Sequence, residues 1–118
     1  MNANHVYKIC SREAWDQALG DGAFVGSEID RADGFIHFSS ARQVAETAAK
    51  HFRGQIGLVI VAFDPADFGA SLKWEPSRGG QLFPHLYGEL DPKRAVWLDD
   101  LVLDDEGCPM IPERVSSC

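Results

Sequence analysis

The sequence has no long apolar run. No stretch free of charged residues is longer than residues 54–63, whereas a helix needs about 20 apolar residues to cross a bilayer. Residues 1–5 also lack the basic patch and apolar run that introduce a secretory signal. These absences predict a protein without a membrane span, and we expect it in the cytoplasm.

Cysteine is scarce. The three cysteines, Cys10, Cys108 and Cys118, cannot all pair within one chain and show no CxxC spacing. This pattern argues against a disulfide framework and against a thiolate zinc site.

Basic residues are too few and too scattered for a nucleic-acid binder. The chain has 11 Lys and Arg against 18 Asp and Glu, a net charge of -7, and no basic block that would neutralise several phosphates. Much of the excess acidity lies in the C-terminal segment 99–118, and the remaining chain is close to neutral. This charge distribution is therefore compatible with a small anionic ligand and argues against a long polyanion.

The length and apolar content fit one globular domain. A chain of 118 residues with 45% hydrophobic residues is of ordinary domain size and is too short for two full domains. We expect residues 1–118 to form one domain with its core within about 6–103, and we expect small-molecule rather than nucleic-acid or membrane partners.

Hydrophobic periodicity predicts two helices followed by a series of strands. The predicted strands cover 6–10, 34–40, 56–63, 71–75, 81–87 and 94–103, the helices cover 12–19 and 41–53, and the polar residues 26–34 form a surface loop. Residues 56–63 are apolar almost throughout, which is typical of a central strand buried on both faces. The order of elements predicts an α+β fold with a mixed or largely antiparallel sheet.

Local patterns give further detail within these elements. Ser11 is a good N-cap, and the apolar stripe of the first helix is Trp15, Ala18 and Leu19. Ser40 and Gln43 have the spacing of a capping box for the second helix.

The strand at 34–40 separates an apolar face from a polar one. Ile36 and Phe38 point one way, while Phe35, His37 and Ser39 point the other. The polar face precedes a helix N-terminus, where backbone N–H groups favour anions. His37 and Ser39 therefore bind a ligand, or they are respectively a half-exposed polar residue and a helix cap.

A second histidine lies on the strand at 81–87. Phe83, His85 and Tyr87 share one face and would supply a stacking platform with a titratable donor. The structural alternative is a hydrogen-bonded histidine at a sheet edge, where Pro84 is tolerated.

Charged residues alternate with apolar ones between these two strands. Lys73 and Glu75 lie opposite Leu72 and Trp74, which we expect in the core, and Arg78 follows in a glycine-rich loop. Glu75 would act as a general base or bind ribose hydroxyls, and Lys73 or Arg78 would hold a phosphate. The alternative is a solvated strand with a surface ion pair.

Two other kinds of site use the same residues. A hydrolase triad would combine Ser39, a histidine (His37 or His85) and an aspartate (Asp30 or Asp33), but no GxSxG elbow surrounds the serine. A metal site would combine His37, His85 and Glu75, but no HxH or HxxxH spacing supports it. We predict no metal site.

Three motifs in order resemble a known family. Residues 30–40, 73–75 and 83–88 resemble the small bacterial and plant proteins grouped as domain of unknown function 952, and residues 6–9 and the helix of Trp15 are similar to the family's start. The resemblance covers about 6–103. The family is similar, distantly, to the ADP-ribosyltransferase-like fold, whose members hold NAD in a cleft between two small sheets.

The resemblance implies roles for individual residues. His37 and Ser39 would contact the ribose, Tyr87 would stack on nicotinamide, and Glu75 or Glu89 would orient the ribose. Glu75 precedes Tyr87, whereas the usual order is His, Tyr, Glu; Glu89 restores that order but lies only two residues after Tyr87. His85 has no counterpart in that scheme.

The resulting hypothesis is a domain that binds NAD or another nucleotide-type ligand and transfers ADP-ribose. Glu75 and His85 are its candidate acid or base, its ligand contacts are His37, Ser39, Tyr87, Lys73 and Arg78, and Asp30 and Asp33 lie just behind them. No cofactor is implied beyond NAD as a substrate. The alternative is a non-catalytic interaction domain that uses the acidic segment around Asp104 and Asp105.

Overall fold

Six strands form two three-stranded antiparallel sheets in the computed structural model, which describes residues 5–77 and 80–116. The strands are β1 (Val6–Ser11), β2 (Ile36–His37), β3 (Leu58–Phe63), β4 (Leu72–Pro76), β5 (Leu82–Leu86) and β6 (Trp97–Leu101). The first sheet has the order β1-β3-β6 and the second β2-β5-β4. The predicted α+β class and antiparallel pairing are confirmed, and the strands form two sheets where the order of elements alone predicts one.

One pair of residues joins the two sheets. Tyr7 and Ser39 exchange backbone hydrogen bonds of 2.8 and 2.9 Å, and this antiparallel bridge is isolated from the ladders. Beyond this bridge, β1 continues along β3 to Ser11. The chain of β2 moves away from the opposite edge of β1, the edge that does not pair with β3. The sheets therefore diverge on one side of the bridge.

Alternation along β1 and β3 buries the first sheet on both faces. Val6, Cys10, Val59, Val61 and Phe63 pack with Trp15, Phe38 and Leu86 in one apolar cluster. The intervening residues, among them Ile9 and Ile60, pack with Val44, Ala48 and Val115 in another. All six residues of β3 are buried, which confirms the prediction of a central strand.

The described part of the chain contains four α-helices: α1 (Arg12–Asp21), α2 (Glu28–Asp33), α3 (Val44–His51) and α4 (Glu113–Ser116). Ser11 caps α1 by accepting a hydrogen bond from the Ala14 N–H at 3.0 Å, as its position predicts. Trp15 and Ala18 are buried, but Leu19 is 49% exposed, so the predicted stripe is narrower by one residue. None of these helices is long and apolar enough to cross a membrane.

The helix α2 lies where the sequence predicts a loop. Ser27 and Asp30 form a reciprocal capping box, and Gly34 ends the helix with a φ of 88°. The prediction is wrong because the segment has few apolar residues, and its helix is stabilised by capping rather than by a buried stripe.

The helix α3 is shorter than predicted. It begins at Val44, and the Gln43 side chain bonds in two directions: Oε1 accepts from the Ser40 N–H at 3.1 Å, and Nε2 donates to the Leu82 carbonyl at 2.8 Å. The predicted capping box is thus only half formed, and Gln43 ties the helix to the second sheet.

Several predictions about the strands need correction. Ile56 is 82% exposed and precedes β3, and Trp74, predicted in the core, is 46% exposed. Pro84 lies in β5, the central strand of its sheet rather than an edge strand. The strand predicted at 34–40 is regular only at Ile36–His37, which leaves room for the second sheet to separate.

Candidate functional site

Asp30 gathers hydrogen-bond donors from three parts of the chain. Its Oδ2 accepts from the Lys8 Nζ at 2.7 Å and from the Ser27 N–H at 2.9 Å. Its Oδ1 contacts the His37 Nδ1 at 2.6 Å and accepts from the His37 N–H at 3.1 Å. Because Asp30 is only 2% exposed, this carboxylate links α2, β1 and β2 inside the protein.

The environment of Asp30 keeps it ionised. Burial alone would raise the pKa of this carboxyl, but the hydrogen bond from His37, together with the charge and hydrogen bond of Lys8, outweighs it and holds the pKa well below its usual range. The buried Lys8 and Asp30 therefore form an ion pair.

His37 lies between two carboxylates. Its Nδ1 contacts Asp30, and its Nε2 lies 3.0 Å from the Asp33 Oδ2 at the exposed end of α2. The His37 side chain is 32% exposed, so one ring edge is anchored inside the protein and the other reaches the surface.

The second histidine belongs to a separate carboxylate group. The His85 Nδ1 contacts the Glu75 Oε1 at 2.9 Å, and the Tyr87 hydroxyl donates to the same oxygen at 2.7 Å. These bonds, with that of His85 first, lower the pKa of Glu75, and the bond to Glu75 raises the pKa of Tyr87. His85 itself is buried, while Tyr87 lies at the rim.

Phe35 connects the two groups. Its ring stacks on His85 with centroids 4.1 Å apart and lies 4.6 Å from the ring of His37 and 5.2 Å from that of Tyr87. Sequence reasoning places Phe35 on the face of His37 but gives it no role. The sequence signal for this role is the alternation that places Phe35 on the same strand face as His37.

A cavity of about 570 Å³ lies where β1 diverges from the second sheet. Its lining includes Lys8, Asp30, His37, Ser39 and His85. Tyr7 and Ile9 direct their backbone N–H and C=O to the same edge of β1, so the edge groups of Ile9 face this gap beyond the bridge. The volume is within the range of about 300–1,000 Å³ common for small-molecule sites.

Among the remaining predicted residues, Ser39 shares the cavity with the two histidines, and Lys73 lies opposite His85 in the register of β4 and β5. The Ser39 hydroxyl donates to the Thr47 Oγ1 at 3.2 Å, and the Lys73 Nζ lies 5.6 Å from the centre of the Tyr87 ring. Glu89 does not line the main cavity but a smaller hollow beside Gly34. Arg78 lies outside the described residues.

The observed contacts do not assemble a hydrolase triad or a metal site from the described residues. The hydroxyl of Ser39 donates to Thr47, whereas His37 and His85 contact carboxylates. Within the described ranges, no three His, Cys, Asp or Glu side chains are placed to hold a metal ion. Cys10 lines the cavity, but burial raises its pKa to about 11, so its thiol is protonated at neutral pH.

The acidic C-terminal segment is partly tied to the fold. Asp99 pairs with Arg114, and the Asp104 carboxylate accepts from the backbone N–H groups of Cys108 and Glu106. Those two bonds, with Cys108 first, lower the pKa of Asp104. Asp104 therefore stabilises a turn.

A family model for "Protein of unknown function (DUF952)" matches residues 9–98, which is most of the chain. The chain belongs to the DUF952 family. The resemblance stated from the three motifs is thus confirmed at the level of the family. Asp30, His37, Glu75, His85 and Tyr87 lie within the part that matches the DUF952 model, and Lys8 lies one residue before it.

Solved structures of one bacterial protein are similar to this DUF952 chain. The crystal structure of protein CC0527 from Caulobacter crescentus has a TM-score of 0.92 and 48% sequence identity, and the match covers 95% of this chain and 98% of that one. The solution NMR structure of CC0527 gives a TM-score of 0.81 and 51% identity over 89% of this chain and 90% of that one. No curated protein matches.

Proposed function

We propose that this DUF952 protein binds a nucleotide-type small molecule, such as NAD, in the cavity between its two sheets. The observation that carries the proposal is the cavity itself, which brings His37 and His85 to one wall. In this arrangement His37 and Ser39 contact the ribose, Glu75 or His85 serves as acid or base, and ADP-ribose is the group transferred. We place the protein in the cytoplasm.

The two-sheet architecture supports an ADP-ribosyltransferase-like cleft. The sheets meet at the bridge between Tyr7 and Ser39 and part beyond it, so a ligand would lie along the free edge of β1. The edge N–H and C=O of Ile9 suit a planar base that carries an amide, because such a group donates and accepts in one plane.

Tyr87 would act from the rim. It does not line the cavity, it is 41% exposed, and its hydroxyl is held by Glu75. Its ring would stack on a base or ribose that extends outward, with Lys73 beside it to meet a phosphate. Phe35, which stacks on His85, lines the smaller hollow beside Gly34 rather than the main cavity.

Calorimetry with NAD and with ADP-ribose tests the proposal. We expect wild-type protein to bind at least one of them, and we expect His37→Ala to weaken binding by about tenfold or more, because the loss of one charge-assisted hydrogen bond costs about 1.5–3 kcal/mol. His5→Ala is the matched control, since His5 does not line the cavity. Absence of binding to the wild type at millimolar ligand would overturn the proposal.

A further inference from the structure

Two histidines, each held by its own carboxylate, face each other across neighbouring strands. The register of β2 and β5 pairs His37 directly with His85, and their ring centroids are 5.5 Å apart at an angle of 70°. Asp30 holds the Nδ1 of His37, and Glu75 holds the Nδ1 of His85. Both rings line the same cavity, so both are within reach of one ligand.

The two rings differ in what surrounds their other nitrogen. The Nε2 of His37 lies 3.0 Å from the Asp33 Oδ2, and because a carboxylate accepts hydrogen bonds only, this contact is a hydrogen bond when Nε2 carries a hydrogen. For His85, no carboxylate among the described residues contacts Nε2. A carboxylate accepts hydrogen bonds only, so the contact with Glu75 places a hydrogen on Nδ1 of His85, and in the neutral ring Nε2 is then the nitrogen with the lone pair.

We propose that His37 and His85 are the general acid and general base for hydrolysis of a phosphodiester bond in a nucleotide. The inference rests on the proposed function, because it takes the ligand of the cavity to be of nucleotide type. One ring carries a proton to give and the other an electron pair to accept one, which is the combination that acid–base catalysis requires at a single reacting centre.

The step balances without a further reactant. A water oxygen bonds to phosphorus while the Nε2 of His85 takes one of the water's protons. The bond between phosphorus and the ribose oxygen breaks, and the Nε2 of His37 gives its proton to that oxygen. The products are a phosphomonoester and a free hydroxyl, and solvent returns the proton from His85 to His37.

Access to the proton of His37 requires Asp33 to move aside. Asp33 is at the end of α2 and its side chain is 50% exposed, so its carboxylate is free to rotate into solvent when the leaving oxygen replaces it. Asp30 cannot do the same, because it is buried and held by four donors. Asp30 and Glu75 are therefore positioning residues, which fix the rings and their tautomers.

The leaving group selects the phosphodiester over the glycosidic bond of NAD. Nicotinamide leaves NAD as a neutral molecule and takes no proton in doing so. A ribose hydroxyl leaves phosphorus as an alkoxide unless an acid protonates it. A positioned acid therefore accelerates the second reaction and adds nothing to the first.

Two substrates separate the roles of the two histidines. Adenosine 2′,3′-cyclic phosphate has a ribose alkoxide as leaving group, and thymidine 5′-p-nitrophenyl phosphate has a nitrophenolate that needs no acid. We expect His85→Asn to lower kcat/KM for both by about 10²–10⁴-fold, the range for one acid or base. We expect His37→Asn to lower kcat by that factor with the cyclic phosphate but by less than about tenfold with the nitrophenyl ester, because a lost ribose contact raises KM for both substrates while the acid is needed for only one of them.

Two controls and one measurement on the wild type complete the test. His5→Asn should leave both rates unchanged, and circular dichroism checks that each variant folds. Ring nitrogen chemical shifts of the wild type need no variant and should show a hydrogen on Nδ1 of His85 and on Nε2 of His37, the nitrogens that face Glu75 and Asp33.

The outcomes separate this inference from the proposed function. Absence of cyclic-phosphate hydrolysis by the wild type, equal losses for His37→Asn with both substrates, or reversed protonation of the rings would overturn the acid–base pair. If calorimetry still detects NAD or ADP-ribose in such a case, the proposed binding function stands. Hydrolysis of both esters without NAD or ADP-ribose binding would support the pair and remove NAD as the ligand.

Discussion

At the scale of single residues, Asp30 organises the site. It joins the start of α2, through Ser27, to the side chain of Lys8 and to both the backbone and the ring of His37. Sequence reasoning places Asp30 near the site because it lies in the motif that precedes His37. It gives no indication of Lys8, because a contact across 22 positions leaves no local pattern.

Replacing Asp30 by asparagine should destabilise the protein strongly. The variant keeps the shape of the side chain but leaves Lys8 as a buried cation without its partner, which costs about 3–5 kcal/mol. Urea unfolding at pH 7 measures the change. Asp16→Asn, which removes an exposed partner of Arg12, is the matched control and should have no measurable effect. A similar loss in both variants would show that burial of Asp30 is not the cause.

Other residues show why chemical type alone does not define a role. Ser39 and His37 are two positions apart in the segment predicted as one strand, yet Ser39 donates to Thr47 while His37 contacts Asp30 and Asp33. Phe35, which has no titratable group, lies closest to the ring of His85. The packing of neighbouring elements decides which of these side chains meet.

At the scale of elements, α2 is the segment that sequence reasoning misses and the site needs. The signals are present in the sequence, since Ser27 and Asp30 have the spacing of a capping box and Gly34 follows at the end of the helix. A helix of six residues without an apolar stripe gives no periodicity to detect, so its polar composition favours a loop. The contacts of Asp30 make this short helix one wall of the cavity.

Glycines at the two ends of α2 should respond differently to alanine. Both have positive φ, but a Cβ at Gly26 would lie 2.7 Å from the Cβ of Asp30, whereas a Cβ at Gly34 meets nothing within 4 Å. We expect Gly34→Ala to cost about 1–2 kcal/mol for the left-handed backbone. Gly26→Ala should cost about 1–3 kcal/mol more, because Asp30 must shift.

Urea unfolding of the two glycine variants measures the difference. In ligand-binding assays, only Gly26→Ala should also weaken binding in the cavity, since it displaces the partner of His37. Equal free energies of unfolding for the two variants would contradict the close contact between Gly26 and Asp30.

At the scale of the whole molecule, two sheets that meet at one bridge create the cavity. Carboxyl groups whose pKa values are lowered by hydrogen bonds in the folded protein tie its stability to pH. Asp30, Glu75 and Asp104 all have pKa values below the usual range for carboxyl groups. The unfolded chain takes up protons at these residues before the folded protein does, so their contribution is present above about pH 4 and is lost as the pH falls.

The free energy of unfolding should therefore decrease as the pH is lowered from about 5 to 3. Urea midpoints measured at several pH values test this. Asp30→Asn should show a shallower decrease than the wild type, because asparagine does not titrate. Identical slopes for the two proteins would contradict the assigned state of Asp30.

The sequence by itself determines the elements whose patterns are local. The unbroken apolar run identifies β3 as a central strand, Ser11 marks the start of α1, and the alternation at 34–40 separates the core residues Ile36 and Phe38 from His37. Three motifs are enough to recognise the family. Each of these signals depends on neighbours within a few positions, where backbone geometry alone fixes which side chains share a face.

The tertiary structure decides how those faces meet. Three features depend on residues that are distant in the chain. They are the separation of β1 from β2, the register that places His37 opposite His85, and the ion pair of Lys8 with Asp30. Such contacts form when elements pack, and burial decides what they contribute: removing one partner of the buried Lys8–Asp30 pair is costly, whereas the exposed pair of Arg12 and Asp16 contributes little. The candidate site is therefore a product of packing, although its residues are visible in the sequence.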